Sequence, residues 1–549
     1  MMYTWKIQTT QKDAVFNQYF GINTTDARCM YNIANFYIRN TMTGIKKSPE
    51  LRTANETEVL HYVFTGIQQA NVLAIKRWNE KVTRAKHYPN GLKRHNVLSK
   101  LLKNGPTVFK YPTPKKWFLG YNVLDAIFKI HKNPVYCRMN SQVNQNAIRK
   151  VVKSWESYFA QIKDYKATPG KYQARPSLPK YLKDKTTAWF TNQTAKLIVQ
   201  DGKVYLKFVN LNNIFYIGKQ SLYQGLTYVK AEIKPSHGRY CVCITFNDDR
   251  EMPEVPEHPE RILGIDVGID NFLAVAGNFG DAPFLIKGGA LKSENQLFNK
   301  KRAHLTSSLT KGKDSTHSVK NSKQLSAVSR KREDFIRDFF YKTAWYICRY
   351  AKKHAVEVIV FGHNKQQKQE VQLGAATNQQ LVSIPFCTFQ SILATVAAKC
   401  GIPVVVREES YTSKASLLDM DKIPTYGSEG KDCPVFSGKR IKRGLYCSKN
   451  GILINADVNG AGNILRKEYP DAFAGRADLS YLYKTTRSVG YKTLYPNAKS
   501  ICSPGYNGKK HCPGSDSSCR QFYRKERKLD LQRAMYVEKP DYKTLAKSA

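Results

Sequence analysis

The segment that most constrains the fold is RILGIDVGIDNFLAVAGNFGDAPFLIKGG, residues 261–289. It contains three short apolar stretches, at 262–267, 272–276 and 283–286, separated by glycine, asparagine and aspartate, which are typical of turns. Such stretches in direct succession predict an antiparallel meander of three strands. Asp266 interrupts the first apolar strand with a carboxylate, so this strand also carries the first candidate site residue.

Helices and strands alternate after this meander. Apolar residues at steps of three and four predict two helices, within 294–309 and 324–351, joined by a polar segment. Strands are then predicted at 356–362 and 402–409, with a helix between them. This alternation favours a mainly parallel sheet, and a meander that leads into such a sheet is how RNase H-like folds begin. We therefore expect an RNase H-like domain whose last element is a helix that starts near Asp457.

The first half of the chain has a different pattern. Helical periodicity occurs in three segments, 27–42, 55–82 and 141–165. From about Pro176, six short β-rich segments follow, separated by turn signals such as Asp201-Gly202. Strands at this spacing predict a small barrel or sandwich, which a strand within the first ten residues is expected to complete.

The net charge narrows the choice of partners. Lys plus Arg number 88 and Asp plus Glu 43, so the formal net charge is +45. Nucleic acid is the simplest partner for this excess, because each neutralised phosphate releases a counterion. The basic residues are spread along the chain, which argues against a membrane surface. Charge alone does not distinguish an enzyme from a structural RNA-binding protein.

Composition also predicts the cellular setting. The chain has no run of 18 apolar residues and no secretory signal at its start, so we expect a cytoplasmic protein. The 12 cysteines form no dense framework and are expected to be reduced. We expect Cys241, Cys348 and Cys387 to be packing residues.

Acidic residues from three distant segments form the candidate site. Asp266 lies in ILGIDVG, Glu408 and Glu409 end the strand VVVREE, and Asp457 lies in NADVNGAGNI. In an RNase H-like sheet, the ends of these strands and the last helix converge. Three carboxylates at this point could bind two Mg²⁺ ions, because Mg²⁺ favours oxygen ligands. Two ions roughly 4 Å apart activate water and stabilise the leaving oxygen of a phosphodiester.

Each acidic residue taken alone has a simpler explanation. GIDVGID also fits a turn, or the phosphate-binding opening of actin-like ATPases. Glu408 and Glu409 fit a solvated strand end, and Asp457 fits a residue that interacts with the helix dipole. The joint pattern is more specific than any of its parts.

Several segments resemble the TnpB proteins of bacterial transposons and the compact type V CRISPR effector nucleases. GIDVGIDNFLAV resembles their first RuvC motif, and RKREDFIRDFF, VIVFGHNKQQKQEV, REESYTSKAS, FSGKRIKRGLY and INADVNGAGNILRK match later segments in order. YNIANFYIRN, VVKSWESYF and PSLPKYLKDK resemble the recognition and wedge regions more weakly. The resemblance covers nearly all of residues 20–470.

This resemblance implies an Mg²⁺-dependent, RNA-guided DNA endonuclease that binds a guide RNA and a double-stranded target DNA with a short flanking motif. It also implies a prokaryotic, nucleoid-associated protein. It implies a multidomain α/β protein with an RNase H-like RuvC nuclease domain and an N-terminal β-barrel wedge into which a helical recognition domain is inserted. The predicted boundaries are 1–20 and 171–256 for the wedge, 21–170 for the recognition lobe and 257–475 for the RuvC domain. Within the last, 287–355 is a basic helical hairpin and 414–452 a target-strand-loading insertion; residues 476–549 form a basic tail.

Two departures from the family pattern affect the site. Many TnpB proteins carry their second catalytic Glu at the end of the strand that here is VIVFGHN, which has no carboxylate. Some members, and the eukaryotic relatives called Fanzor, place it just before a Thr-Ser pair, which here implies Glu409, with Glu408 second. The predicted catalytic and metal-binding residues are therefore Asp266, Glu409 and Asp457.

The second departure concerns zinc. Family members often carry paired CxxC motifs in the insertion, but Ala415 stands where the first Cys is expected, and Cys433 and Cys447 alone do not fill a tetrahedral site. We expect no zinc. The tail residues Cys502, His511, Cys512 and Cys519 could supply ligands, although solvated thiols are the simpler interpretation.

Basic and aromatic residues are the candidate contacts to nucleic acid. The residues concerned are Lys110, Lys115, Lys116, Trp117, Lys150, Lys300, Lys301, Arg302, Lys331, Arg332, Lys439, Arg440, Lys442 and Arg443. The alternative is that the aromatic residues belong to the core and that the charges only solvate the surface.

Three other functions stay open at this point. The missing Glu at 362–364 is compatible with a nuclease-dead RNA-guided DNA-binding protein. A guide-independent nuclease or resolvase and a structural RNA-binding protein are also compatible with the charge. The sequence leaves monomer and dimer undecided.

Overall fold

The computed structural model describes residues 2–248, 253–312, 321–363, 382–425, 434–475 and 478–496. The chain divides into two compact units, Met2–Asp249 and Arg250–Ala549. Each unit combines helices with sheets, which confirms the multidomain α/β class. None of the described helices has the length and apolar character that crossing a membrane requires.

The helices of the first unit are long. In its described part they are α1 (Ala14–Gly44), α2 (Ala54–Lys86), α3 (Gly91–Asn104), α4 (Tyr121–Ile130), α5 (Pro134–Arg138) and α6 (Ser141–Ala167). α2 begins with a capping box, in which Thr53 and Glu56 accept each other's backbone N–H groups. Along α6 one stripe is buried, as its spacing predicts: Val143, Ala147, Val151 and Trp155.

The strands of this unit pair into two antiparallel sheets. They are β1 (Met2–Gln8), β2 (Ala188–Thr191), β3 (Ala195–Gln200), β4 (Lys203–Phe208), β5 (Ile214–Lys219), β6 (Leu226–Ser236) and β7 (Arg239–Asp248). The sheet orders are β1-β7-β6-β2 and β3-β4-β5. The first strand thus joins the later ones, whereas closure into a barrel stays a prediction. Asp201-Gly202 and His237-Gly238 have positive φ, as two-residue hairpin turns require.

The second unit is built on a six-stranded sheet. Its described strands are β8 (Ile262–Val267), β9 (Asn271–Gly277), β10 (Phe284–Lys287), β11 (Val358–Gly362), β12 (Val404–Arg407), β13 (Lys439–Lys442), β14 (Leu445–Cys447), β15 (Leu453–Asn455) and β16 (Arg487–Val489). The large sheet has the order β12-β11-β8-β9-β10-β16. β8, β9 and β10 form the predicted antiparallel meander, and β11 and β12 continue it in parallel. β13, β14 and β15 form a separate small sheet.

Helices cover both faces of the large sheet. They are α7 (Gly289–Thr310), α8 (Lys323–Lys353), α9 (Phe386–Lys399), α10 (Ala456–Glu468), α11 (Tyr481–Lys484) and α12 (Tyr491–Leu494). α8 and α9 share a core with Leu263 and Ile265, and α10 shares a second core with Ile262 on the opposite face. Side chains alternate along a strand, so Gly264 and Asp266 lie on the face that α10 covers.

Two sequence-based expectations were wrong. Residues 487–496 were expected in a basic tail, but β16 pairs in parallel with β10, and Val489 and Leu494 are buried in the core of the second unit. The strand is only three residues long, too short for its alternation to be recognised. Cys387 was expected to be buried, as Cys241 and Cys348 are, yet it is exposed on α9. The residues Cys433, Cys502, His511, Cys512 and Cys519 lie outside the described part of the chain.

Candidate active site

Asp266 lies where α10 packs most closely against the sheet. A Cβ atom on Gly264 would come 2.3 Å from the backbone oxygen of Ala461, so glycine is required for this approach. A Cβ on Gly460 would likewise come 2.8 Å from Oδ2 of Asp266. The two glycines therefore allow helix and strand to meet around the Asp266 carboxylate.

Glu409 follows β12 and reaches over the end of the neighbouring strand. β11 ends at Gly362, which is paired with Arg407. A Cβ atom on Gly362 would lie 3.2 Å from Oε2 of Glu409 and 2.4 Å from Cδ1 of Ile464. The Glu409 carboxylate thus lies beside the strand end where many TnpB proteins are expected to carry a Glu.

Asp457 lies in the first turn of α10. The side chain of Asn455 caps this helix by accepting hydrogen bonds from the backbone N–H groups of Asp457, at 3.0 Å, and Val458, at 3.2 Å. The Asp457 carboxylate accepts a hydrogen bond from Nδ2 of Asn271, with 2.7 Å between Nδ2 and Oδ2. Both the backbone and the side chain of Asp457 are therefore held.

The electrostatics link the three acidic residues. Burial raises the pKa of Asp266 well above its usual value, and the negative charges of Glu409 and Asp457 raise it further. Asp266 keeps some solvent exposure, although protein surrounds its carboxylate on most sides. Burial, with the charge of Glu408 as a smaller contribution, also raises the pKa of Glu409 to about 7. Two acids that are far from Asp266 in sequence, Glu409 and Asp457, thus act on it in the fold.

In this structure, the three carboxylates are not arranged as a metal site. Within the described residues, no group of three or more His, Cys, Asp or Glu side chains has an arrangement that could hold a metal ion. The three carboxylates are near enough to interact electrostatically but do not converge as ligands of one ion. Their catalytic and metal-binding roles stay predictions.

Glu408 faces a different environment from Glu409. Its carboxylate lies 2.5 Å from Nζ of Lys467, whose side chain is only 2% exposed. It also accepts a hydrogen bond from the backbone N–H of Ser410 at 2.7 Å. Glu408 is therefore engaged in an ion pair on α10, which favours Glu409 as the second acidic residue of the site.

Basic residues of the β13–β14 hairpin lie near the acidic cluster. The guanidinium of Arg440 lowers the pKa of Asp266, against the larger effects that raise it. Arg443 forms an ion pair with Asp270, and Lys292 of α7 pairs with the same carboxylate. The hairpin thus brings positive charge beside the turn that follows β8.

Most of the predicted nucleic-acid contacts are exposed. These residues are Lys110, Lys115, Lys116, Lys300, Lys301, Arg302, Lys331, Lys439, Arg440, Lys442 and Arg443. Their exposed side chains lie at the surface, where a phosphate backbone could reach them, and Arg443 is at the same time paired with Asp270. Their binding role stays a prediction.

Three of the predicted contacts are less exposed, and their side chains are engaged within the protein. The ring of Trp117 packs 5.7 Å from that of Trp155, so the alternative that it belongs to the core is favoured. Arg332 donates to Oδ1 of Asn295 at 2.7 Å and to the backbone oxygen of Ser383 at 2.6 Å, which ties the helical hairpin together. Lys150 is half-buried and donates to the hydroxyl of Thr186.

Sequence analysis missed the polar residues that support the acidic ones. Asn271, Lys287 and Lys467 all contact or adjoin a candidate site residue through their side chains. Asn271 lies in the quoted motif GIDVGIDNFLAV and could have been noted as a polar residue at a strand start. Lys287 and Lys467 carry no local signal, because their partners are distant in sequence.

Two family models match parts of the chain. Residues 242–368 match the model OrfB_IS605, described as a probable transposase. Residues 386–464 match the model of the Cas12f1-like TNB domain. The predicted resemblance to TnpB proteins and compact type V effectors is confirmed by these two matches.

Solved structures give a weaker likeness. A cryo-EM structure of a Cas12f1–sgRNA–target DNA complex is 11% identical with a TM-score of 0.41, and the match covers 84% of this chain and 98% of that one. A crystal structure of Alicyclobacillus acidoterrestris C2c1 in complex with single-guide RNA is 9% identical with a TM-score of 0.27, covering 83% and 70%. Comparison with curated proteins finds no match.

Proposed function

We propose that this chain is an RNA-guided DNA endonuclease that cleaves its target at a site formed by Asp266, Glu409 and Asp457. The observation that carries the proposal is the placement of the three acids where α10 packs on the sheet. Oδ2 of Asp266 lies 2.8 Å from the Cβ position of Gly460 on α10, the helix whose first turn contains Asp457, and Oε2 of Glu409 lies 3.2 Å from the Cβ position of Gly362. Buried acids that repel one another are costly unless a cation or a proton neutralises them. Carboxylates with strongly shifted pKa values are found most often at functional sites.

The donor set suits Mg²⁺. All three side chains offer carboxylate oxygens, which are the ligands this hard cation prefers. Burial is the main cause of the raised pKa of Asp266, and the repulsion from Glu409 and Asp457 that adds to it is the interaction that a divalent cation would relieve. After their carboxylates move closer together, Asp266, Glu409 and Asp457 would hold two ions, and these would supply activation of water and stabilisation of the leaving oxygen.

The order of the large sheet supports an RNase H-like RuvC domain. The order β10-β9-β8-β11-β12, in which β9 alone is antiparallel to its neighbours, agrees with a meander that continues as a parallel sheet. Asp266 on β8 and Glu409 after β12 then lie toward the same edge, since parallel strands end together. Asp457 joins them from the start of α10.

The basic residues of the β13–β14 hairpin are suited to binding the substrate strand. Lys439, Arg440 and Lys442 project from the β13–β14 hairpin and are exposed. Positive charge there would attract a phosphodiester backbone toward the acidic cluster, which would otherwise repel it. We propose that residues 414–452 guide the single strand to the carboxylates.

Guide and target binding are proposed for the remaining parts. The solved structures similar to this chain are complexes with guide RNA or with guide RNA and DNA, and the charge of +45 suits such partners. We propose that residues 1–20 and 171–256 form the wedge, that 21–170 form the recognition lobe, and that 257–475, extended by β16, form the nuclease domain.

One exposed sheet face suits the proposed wedge. On the face of β1-β7-β6-β2 opposite the core, Lys6 and Lys234 flank β7, and Nζ of Lys230 lies 4.8 Å from the ring centroid of Trp189. Lys150 is close enough that the charge of Lys234 lowers its pKa, although burial is the larger cause. Glu232 lies on the same face and pairs with both Lys230 and Lys234, so the face keeps a smaller net positive charge beside one aromatic ring. Such a face suits an RNA backbone.

The test combines RNA sequencing with cleavage. RNA that copurifies with the chain would be sequenced, and a plasmid carrying the matching target would be incubated with the complex and Mg²⁺. Wild type is expected to cut. Asp266→Ala and Asp457→Ala are expected to bind RNA and target but not to cut, while the exposed control Asp471→Ala cuts normally.

Each rival function has its own outcome in this test. Cutting at the wild-type rate by Asp266→Ala or Asp457→Ala would refute the site. Binding without cutting by wild type would indicate a nuclease-dead binder, and cutting without any copurifying RNA would indicate a guide-independent nuclease. RNA binding that is indifferent to DNA and Mg²⁺ would indicate a structural RNA-binding protein.

A further inference from the structure

We propose that Asn271 and Lys287 are positioning residues that orient the Asp457 carboxylate and so set the affinity of the site for divalent cations. This inference rests on the proposed function, because it assumes that Asp457 is a metal ligand. Neither residue belongs to the acidic cluster itself. Their role follows from a chain of two hydrogen bonds that ends on Asp457.

The first step is the direction of these bonds. Nζ of Lys287 donates to Oδ1 of Asn271 at 2.9 Å, and Nδ2 of Asn271 donates to Oδ2 of Asp457 at 2.7 Å. An ammonium group can only donate, so it fixes the oxygen end of the amide toward itself. The amide NH₂ must then face Asp457, and the carboxylate is held through one of its two oxygens.

The second step is the choice of an amide as the intermediate group. If Lys287 bonded Asp457 directly, its full positive charge would neutralise the carboxylate and compete with a metal ion. Asn271 conveys the orientation without bringing that charge into contact. The arrangement matches the outer-shell hydrogen bonds that fix ligating side chains in metal sites, whose loss typically lowers metal affinity or activity by about 10- to 100-fold.

The third step is how the fold places Lys287 opposite Asn271. β9 and β10 pair Ile286 with Leu273, and the register then shifts so that Lys287 pairs with Asn271. Such bulges re-aim side chains and are frequent next to active sites. Without the shift, Lys287 would lie opposite Phe272.

The surrounding turn holds this geometry. The backbone N–H of Gly288 donates to the oxygen of Asp270 at 2.9 Å. A Cβ on Gly288 would come 2.5 Å from the oxygen of Ile269, and one on Gly268 would come 2.6 Å from the oxygen of Asn271. The turn after β8 is therefore packed directly against the residue that follows Lys287.

The experiment measures metal binding as well as activity. The full chain is titrated with Mn²⁺, free Mn²⁺ is followed by electron paramagnetic resonance, and binding lost in Asp457→Ala defines the site. Asn271→Ala is expected to raise the Mn²⁺ dissociation constant of that site about 10- to 100-fold. Lys287→Met is expected to change it in the same direction but less, and high Mg²⁺ is expected to restore cleavage in both.

Asn278→Ala is the matched control. Asn278 directly follows the other end of β9, where its Oδ1 accepts a hydrogen bond from the backbone N–H of Ile262 on β8 at 2.8 Å. The Asn278→Ala variant is expected to have a lower melting temperature but an unchanged Mn²⁺ dissociation constant.

Two results separate this inference from the proposed function. Wild-type Mn²⁺ affinity in Asn271→Ala, with binding lost in Asp457→Ala, would overturn the positioning role and leave the nuclease site intact. Unchanged Mn²⁺ binding and cleavage in Asp457→Ala would overturn the proposed function itself.

Discussion

The ammonium group of Lys467, buried to 2% exposure, lies 2.5 Å from the carboxylate of Glu408. Lys467 also donates to the backbone oxygen and the hydroxyl of Ser410, both at 2.9 Å. This cluster ties the end of β12 to α10. Glu408 therefore serves the packing of the helix, while its neighbour Glu409 lies beside Gly362 and close enough to Asp266 to act on its pKa.

This division of roles predicts opposite phenotypes for two adjacent substitutions. Glu409→Gln is expected to abolish target cleavage with little loss of stability, because it removes a proposed metal ligand. Glu408→Gln is expected to lower the free energy of unfolding by about 1–3 kcal/mol, because Lys467 loses its anionic partner, while cleavage persists. Urea unfolding and a cleavage assay on both variants test the pair, and the reverse pattern would assign the site to Glu408.

The contact between Gly460 and Asp266 predicts a selective loss of activity. A methyl group at position 460 would force the Asp266 carboxylate to move, since Oδ2 lies 2.8 Å from the Cβ position. A displacement of about 1 Å costs a catalytic group about 100-fold in rate. Gly460→Ala is therefore expected to cut about 100-fold more slowly while keeping its melting temperature, because the side chain can shift.

Gly289→Ala is the control for this substitution. Gly289 opens α7 and has no atom within 4 Å of its Cβ position. It is expected to keep full activity, and a Gly460→Ala enzyme that also kept full activity would contradict the close approach of α10 to Asp266.

The raised pKa of Glu409 predicts how stability depends on pH. Its folded-state pKa of about 7 exceeds the ordinary value of 4.5, so the folded state holds its proton more tightly than the unfolded state. This contribution is fully present below pH 4.5 and is lost as the pH rises to about 7 and beyond. The full effect is about 3 kcal/mol, since one pKa unit corresponds to about 1.4 kcal/mol.

Comparison with Glu409→Gln isolates this effect. The metal-free wild type is expected to lose stability relative to the variant between pH 4.5 and 7, and Mg²⁺ is expected to reduce the loss by neutralising the carboxylates. Chemical unfolding at several pH values measures the difference. A stability difference that is constant across this range would contradict the burial of Glu409.

The β13–β14 hairpin predicts a salt-dependent contribution to DNA binding. Lys439→Gln with Lys442→Gln is expected to weaken binding of single-stranded DNA and to lower the slope of log affinity against log salt by about 0.7 per lysine. The control is Lys352→Gln with Lys353→Gln, which removes the same charge from the exposed end of α8. Equal losses in both double variants would show that only net charge matters.

Local sequence patterns predicted many of the helices and strands and identified the acidic candidates. The apolar runs of the meander, the alternation that follows and the buried stripe of α6 are local patterns, and the structure has the corresponding elements. Asp266 stood out because a charge in an apolar strand is conspicuous, and Asp457 because it opens a helix. The charge of +45 pointed to nucleic acid before any contact was known.

Only the folded structure distinguishes the roles of adjacent acidic residues. Glu408 and Glu409 are adjacent, so local pattern could not say which would meet Lys467 and which would lie over Gly362. The same applies to Trp117 in the aromatic core, to Arg332 bridging the helical hairpin, and to β16 beside β10. These contacts join residues that are distant along the chain, and only packing between elements brings them together. Periodicity reflects which face of a single helix or strand is buried, so it does not predict such contacts.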